Sequence, residues 1–344
     1  MKKPRRPLGE IALIEQIRRD FSPMRSKHVA LGIGDDCAIL RPPRGCEVVV
    51  TTDFSLEGRH FRRDLHPPES VGHRCLARGL SDLAAMGATP LAAFLSLALP
   101  ADLLSEPKGR RWLAGFFRGL RTLANRYQVP LAGGDTSQSP GKSPGEVLAD
   151  IILIGATPTG KALRRSGASP GDVLYVTGHL GGAAAEFAEV LHRRKAVKAG
   201  TAKNHPHLYP EPRLAAGHAL LGRSLATACI DISDGLSTDL AHLCRASGVH
   251  AEIEQSALPI HPLARKLGTG AAIQAALHGG EDYELLFSAP ATTRIPKSIA
   301  GVRVNRIGRI TQKRSATPLL TLKQADGKRN RLEPAGWEHF SAHR

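Results

Sequence analysis

The stretch Leu80-Ser81-Asp82-Leu83-Ala84-Ala85-Met86-Gly87-Ala88 sets one aspartate in an alanine-rich, otherwise apolar run. Val71, Cys75, Leu76, Leu83 and Met86 recur near helical spacing, which predicts a helix over 70–88 that stops at Gly87. Asp82 then lies inside that helix, one residue round from its apolar stripe. A carboxylate is rarely buried without a partner. On the helix alone, two readings of Asp82 stay open: a satisfied core polar group, or a ligand.

Working outward, 48–51 is β-branched and predicts a strand running into a Thr51-Thr52-Asp53 turn. Residues 91–99 read as a buried strand. Leu113, Phe116, Leu120, Leu123 and Tyr127 give 110–127 a helical stripe. Residues 130–132 enter a glycine turn at Gly133-Gly134-Asp135, and 137–145 read as a loop rich in Ser, Pro and Gly. A strong strand follows at 147–154, and 156–160 is the best domain boundary. The second half alternates in the same way. Strands are predicted at 173–177, 228–231, 249–254 and 283–288, with helices near 182–194, 212–224 and 236–246. This alternation predicts an α/β or α+β architecture in both halves.

The chain has 344 residues, enough for two ordinary domains, with 42% hydrophobic and 23% charged residues. The most apolar stretch, 91–104, is broken by Pro100 and Asp102 and is too short to span a bilayer. The basic N-terminus lacks the apolar core of a signal peptide. Five cysteines form no Cys-x-x-Cys pair, which favours reduced, buried thiols over zinc or disulfides. A net charge of +16 invites a nucleic-acid reading. The charge is spread along the chain, aromatics are only 4%, and no helix-turn-helix or zinc-finger spacing is present, so nucleic acid is set aside as the main partner.

Acids in this basic chain gather among small residues. They occur at Gly34-Asp35-Asp36, Thr51-Thr52-Asp53, Ser81-Asp82, Gly133-Gly134-Asp135-Thr136, Asp231-Ile232-Ser233-Asp234-Gly235 and Gly279-Gly280-Glu281-Asp282. Carboxylates and hydroxyls are hard oxygen donors of the kind Mg²⁺ takes, and Mg²⁺ commonly arrives with nucleotide phosphates. Glycines let backbone N–H groups approach a phosphate. Asp234 is also placed to cap the following helix, and Asp282 is equally readable as a structural turn residue. A rival nucleotide motif, 155–162, has the glycine and lysine spacing of a Walker A loop. It ends on Ala162, which offers no hydroxyl to Mg²⁺, and Gly167 stops any helix early, so it reads as a boundary turn.

The order of these motifs, together with Glu57-Gly58-Arg59-His60-Phe61 and the terminal Gly336-Trp337-Glu338-His339-Phe340, closely resembles the thiamine-monophosphate kinase family over nearly the whole chain. The resemblance implies a two-domain, aminoimidazole-ribonucleotide synthetase-like α/β (α+β) fold. In it, 1–156 forms a metal- and ATP-binding, dimerising domain that contributes strands to a dimeric β-barrel, and 157–344 forms a C-terminal α/β domain completing the site. It implies a cytoplasmic homodimer that transfers the ATP γ-phosphate to thiamine monophosphate with several Mg²⁺ ions, giving thiamine diphosphate and ADP. By motif match the metal ligands are Asp36, Thr51, Thr52, Asp53, Asp82, Asp135, Asp231 and Asp234. ATP is held by Gly134, Asp135, Arg165 and Ser233. The thiamine phosphate is contacted by His60, Glu281 and Trp337, the last by stacking. No residue is assigned as a general acid or base. Two departures stand out: Gly79 where the family usually has Asn before Leu-Ser-Asp, and Glu186-Phe187 where a small residue and leucine are usual. The alternatives are another ATP-using member of the superfamily with a different acceptor, or a basic nucleic-acid-binding protein.

Overall fold

The computed structural model describes residues 9–22, 24, 26–140, 145–193, 205–338 and 340. The basic runs at 2–6 and 193–198, the loop at 137–145 and His339 therefore lie outside the described residues, wholly or in part. Contacts divide the chain into two compact units. Of the described residues, one holds those up to Leu83 and within Thr89–Thr159; the other holds Ala84–Ala88, Gly160–His192 and those from 205 on.

The first unit contains α1 (Glu10–Phe21), β1 (Val29–Leu31), β2 (Ile39–Leu40), β3 (Cys46–Leu56), α2 (Pro68–Ala85), β4 (Thr89–Leu99), α3 (Ala101–Ser105), α4 (Pro107–Tyr127), β5 (Leu131–Gln138) and β6 (Leu148–Pro158). Its main sheet runs β3-β6-β4-β5, antiparallel except for the parallel β4–β5 pair, and among the described residues it is open rather than closed into a barrel. Leu76, Leu80 and Leu83 of α2 and Phe116, Leu120 and Leu123 of α4 are essentially fully buried. Outward-facing residues of β3 are not covered: Val48, Val50 and Phe54 are 48%, 62% and 57% exposed.

Two sequence expectations change here. Thr51-Thr52-Asp53 is not a turn but the middle of the eleven-residue β3, because Thr, like the valines before it, favours the pleated backbone. Gly133-Gly134-Asp135 is likewise strand, within β5. Gly134 lies opposite Leu95 at φ +150, and a Cβ there would come within 1.9 Å of the Leu95 carbonyl oxygen. Here glycine permits close approach of two strands.

The second unit contains β7 (Val173–Thr177), α5 (Gly182–Arg193), α6 (Leu214–Gly222), β8 (Ala228–Asp231), α7 (Leu236–Ser247), β9 (His250–Glu254), α8 (Pro262–Arg265), α9 (Thr269–His278), β10 (Leu285–Ala289), β11 (Ser298–Ile299), β12 (Val302–Thr311), β13 (Leu320–Lys323) and β14 (Arg329–Arg331), with a 3₁₀ turn at Gln255–Ala257. Its sheet runs β14-β13-β9-β12-β7-β10-β8, with β11 beside β12, and only the β13–β9 pair is parallel. Leu174, Ile230, Leu240, Ile253, Leu286 and Ile307 fill the core. The Walker-like stretch is not a phosphate loop: β6 continues through Pro158, and no helix starts within 159–168.

Three of the five free cysteines are buried, Cys46 is half-buried and Cys37 is exposed, so the expectation of buried thiols holds for three. Burial pushes the Cys75 thiol up to about 12, which keeps it an inert core group.

Candidate phosphoryl-transfer site

In the first unit, the period of two along β3 separates its ligand candidates. Thr51 and Asp53 are half-buried, whereas Thr52 is exposed with Val50 and Phe54. The Thr51 hydroxyl donates to the Asp82 carboxylate. This answers the question posed by an acid in an apolar helix: β3 supplies it with a hydroxyl. Thr52 Oγ1 instead donates to Asp150 Oδ1 at 2.7 Å. The side chains of Thr51 and Thr52 therefore do not meet.

Asp53 is held by Arg78 of α2, whose Nε and terminal nitrogen both lie 2.9 Å from Oδ1. Arg78 precedes Gly79, the first family departure. A Cβ at 79 would meet Leu153 Cδ1 at 2.7 Å, so at this point helix and sheet are packed with no space for a larger residue unless Leu153 moves. His60 accepts at Nδ1 from the Leu56 N–H at 3.0 Å, which leaves Nε2 as the protonated, donating nitrogen. Its carbonyl receives the buried Arg74 guanidinium at 2.9 Å.

A cavity of about 900 Å³ in the same unit is lined by Gly34, Asp35, Asp36, Gly134, Asp135 and Thr136, among others. Asp35 accepts from the Asp36 N–H at 2.8 Å, a local turn contact, while the Asp36 side chain is exposed. The Thr136 hydroxyl is buried with no hydrogen-bond partner among the described residues.

In the second unit, three predicted segments converge through their backbones. Glu281 N donates to Ser233 O at 2.7 Å, and Tyr283 N donates to Ile232 O at 2.9 Å. Trp337 N donates to Asp234 O at 2.9 Å, and Gly336 N to Thr238 Oγ1 at 3.0 Å. Ser233, Asp234, Glu281 and Trp337 thus belong to one constellation, with Asp231 two residues before Ser233 at the end of β8. Glu281 and Tyr283 adopt left-handed backbone, φ 67 and 50, which costs non-glycine residues about 1–3 kcal/mol and recurs at functional sites. Arg165 is exposed, and its charge, like that of Asp234, acts on His242 of α7.

Asp234 does not cap α7 as expected. The N-cap is Gly235, and the acid that holds this turn is Asp239, which sequence reasoning missed. One Asp239 oxygen accepts from Ser233, Asp234 and Gly235 N–H groups at 3.0–3.1 Å. Burial, followed by the charges of Asp231 and Asp234, pushes its carboxyl well up despite those bonds. The clue was an acid in the first turn of a helix that begins on a glycine. Asp282 is structural: it accepts from Gly181 N at 2.6 Å and Ala183 N at 3.1 Å, holding the start of α5, and burial pushes it up to about 7. Glu284 is gripped through both oxygens by Arg213 and also accepts from Thr177.

Four imidazoles of this unit, His261 and His278 half-buried and His179 and His242 exposed, shift in one direction. For His179, His242, His261 and His278, burial is the largest cause and lowers the pKa below the ordinary 6.5. Below about 6.5 the unfolded chain binds more of these protons than the folded one. Their contribution to stability is therefore complete above about 6.5 and is lost as pH falls through the folded values. Asp282 and Asp239, both raised, act in the opposite sense. His278 bonds Ser237 at 2.8 Å, and asparagine can keep that bond without titrating. In urea unfolding, His278→Asn is expected to lose less stability than the parent between pH 7.5 and 5.5; an equal loss would remove His278 from this linkage.

Family models place this architecture. The AIR synthase related protein N-terminal domain matches residues 34–161, and the corresponding C-terminal domain matches 169–319. A hydrogenase maturation protein HypE in complex with ATP shares the fold at TM-score 0.72 and 17% identity, covering 94% of this chain and 96% of that one. The class is thus the two-domain AIR synthase-related α/β proteins. Within it, the chain is 39% identical over 343 residues to thiamine-monophosphate kinase of Salmonella typhimurium, covering 97% of this chain and 98% of that one. It is 32% identical to the Bacillus subtilis enzyme of the same name, covering 91% and 94%. The crystal structure of thiamine-monophosphate kinase from Stenotrophomonas maltophilia superposes at TM-score 0.77 and 35% identity, covering 94% and 98%. AaThiL complexed with AMPPCP and TMP superposes at TM-score 0.73 and 32% identity, covering 97% of each chain. The chain belongs to the thiamine-monophosphate kinase family, and it is a phosphotransferase.

Proposed function

We propose that the chain transfers the γ-phosphate of ATP to the phosphate of thiamine monophosphate, giving thiamine diphosphate and ADP. The observation that carries this reading is the union of Ser233, Asp234, Glu281 and Trp337 in one hydrogen-bonded constellation. It is supported by family membership and by a relative solved with AMPPCP and TMP. A phosphate monoester has its second pKa near ~6 and is largely dianionic at neutral pH. Its oxygen can form the new bond to the γ-phosphorus directly, as the bond to the β,γ-bridging oxygen breaks and ADP leaves. No proton has to be removed from that oxygen, so no general base is required. Positioning and electrostatics carry such transfers.

The donor set fits Mg²⁺. Among the described residues no three His, Cys, Asp or Glu side chains converge into a metal-binding group. Mg²⁺ characteristically uses one or two carboxylates with waters and substrate phosphates, rather than an all-protein cage. Asp36, Thr51, Asp53, Asp82, Asp135, Asp231 and Asp234 would supply protein oxygens of that kind, and Thr52 would do so through its backbone. Bound there, Mg²⁺ would neutralise charge on the phosphates. The Thr136 hydroxyl beside Asp135 and Gly134, without a hydrogen-bond partner among the described residues, is suited to donate to an ATP phosphate. Arg165 and Ser233 would bind ATP, and His60, Glu281 and Trp337 the thiamine phosphate, His60 through its Nε2–H.

We also propose a homodimer built on the outer face of β3. This strand lies at the edge of its sheet, is eleven residues long and exposes Val48, Val50 and Phe54. Such an edge invites pairing. Val50→Asp is expected to convert a dimer to a monomer by light scattering with secondary structure retained; an unchanged dimer mass would refute this interface. Among the described residues no helix is long and apolar enough to cross a membrane. A cytoplasmic location is proposed from the ATP requirement.

The acceptor is tested by measuring ADP formation with ATP and Mg²⁺ against thiamine monophosphate, thiamine and an aminoimidazole-ribonucleotide precursor in parallel. Turnover confined to thiamine monophosphate is expected. Turnover only with the purine precursor would assign the chain to a different branch of the superfamily.

A further inference from the structure

Residues of the second unit that have no place in the proposed chemistry form a buried relay ending on Glu281. It begins at the second family departure. Glu186, in α5, is only 5% exposed, and a carboxylate so placed needs partners. Its Oε1 lies 2.5 Å from His205 Nδ1, and its Oε2 accepts from the His207 N–H at 2.7 Å and the Leu208 N–H at 3.3 Å. One side chain thus fixes the backbone of 205–208 against α5. Phe187, the next residue, packs its ring on that of His207 with centroids 4.8 Å apart. Held from both sides, the His207 imidazole is 2% exposed, and its Nδ1 lies 3.0 Å from Glu281 Oε2. A carboxylate only accepts, so Nδ1 carries the proton in this contact. The Glu281 backbone is meanwhile anchored to Ser233.

We propose that Glu186, Phe187 and His207 are positioning residues that hold the Glu281 carboxylate in the orientation that binds the thiamine phosphate, setting affinity for that substrate rather than the rate of transfer. This rests on Glu281 being a substrate contact. A glutamate free to turn about its three side-chain torsions samples many orientations. One tied at the backbone and at one oxygen presents its other oxygen in a single direction, which reduces the ordering cost of binding. Glu186-Phe187 in place of a small residue and leucine is then a coupled change: the acid anchors the loop, and the ring shapes the seat of His207.

The test is a kinetic cycle on the full-length protein with ATP, Mg²⁺ and thiamine monophosphate. His207→Leu is expected to raise KM for thiamine monophosphate about tenfold, the scale of one hydrogen bond to a charged group, with kcat within about twofold and KM for ATP unchanged. His207→Asn, whose amide N–H sits near the position of Nδ1, is expected to restore most of the affinity. Glu281→Gln should raise the same KM, and adding His207→Leu to it should have little further effect. Equal fold-changes from His207→Leu in the parent and in Glu281→Gln would overturn the relay, as would a matching rise in KM for ATP. If Glu281→Gln itself leaves KM for thiamine monophosphate unchanged, the substrate role of Glu281 fails instead. Circular dichroism establishes that each variant is folded. Should His207→Leu not fold, the proposal is read from Glu186→Gln, for which the same KM-specific rise is expected and an unchanged KM overturns it.

Discussion

Asp82→Asn is expected to lower phosphoryl transfer by about 10²–10³-fold, the range found when one preorganised electrostatic group is removed from a transition state. Asparagine has nearly the volume of aspartate and keeps an oxygen that can accept from Thr51. The packing of Leu80 and Leu83, on either side of it in α2, is untouched. What is lost is one negative charge. If Asp82 were only a satisfied core group, its neutral isostere would leave kcat unaltered, and stability would show whatever effect there was. On the proposed chemistry the charge holds the cation that offsets the phosphates, so kcat falls and the urea midpoint stays close to that of the parent. Steady-state kinetics over a range of Mg²⁺ concentrations, beside urea unfolding, separates the two. Full activity in Asp82→Asn would refute the metal-ligand reading of this residue.

The second large effect concerns stability. Asp239→Ala is expected to cost about 3 kcal/mol. It removes the acceptor of three backbone N–H groups, and a buried donor left unsatisfied costs about 1–3 kcal/mol. Ser233 and Asp234 are half-buried, so water recovers part of the loss at two of the three positions. Relief of repulsion with Asp231 and Asp234 offsets a little more. Asp239→Asn keeps one acceptor oxygen and should cost less than half as much. Urea unfolding gives the energies, and hydrogen exchange at 233–235 locates them. Faster exchange at those three amides is the specific expectation; a stability loss without it would place the role of Asp239 elsewhere in α7.

Much of this architecture was legible because periodicity reports burial directly. The helix containing Asp82 and the strand at 173–177 follow from apolar spacing. Two motifs were misread as turns, Thr51-Thr52-Asp53 because the β-propensity of its threonines was outweighed by their polarity, and Gly133-Gly134-Asp135 because of its glycines. Glycine and small polar residues mark sharp turns, but they also mark strands that another backbone approaches closely. Only the Leu95 carbonyl opposite Gly134 distinguishes the two cases. The order of the acidic motifs nominated the candidate site, whereas the supports of its residues lay beyond sequence reasoning. Arg78 reaches Asp53 and Asp150 reaches Thr52 through tertiary packing, across separations of 25 and 98 residues. Asp282, open between ligand and structure from sequence, is resolved by its two bonds to the start of α5.

The central claim is transfer from one phosphate to another. It is tested most directly by supplying ATP labelled with ¹⁸O in the γ-phosphate, together with thiamine monophosphate and Mg²⁺, and following the label by mass spectrometry. The account predicts the label in the terminal phosphate of thiamine diphosphate, formed in equal amount with ADP. Label appearing only in inorganic phosphate, with thiamine monophosphate unconsumed, would contradict it.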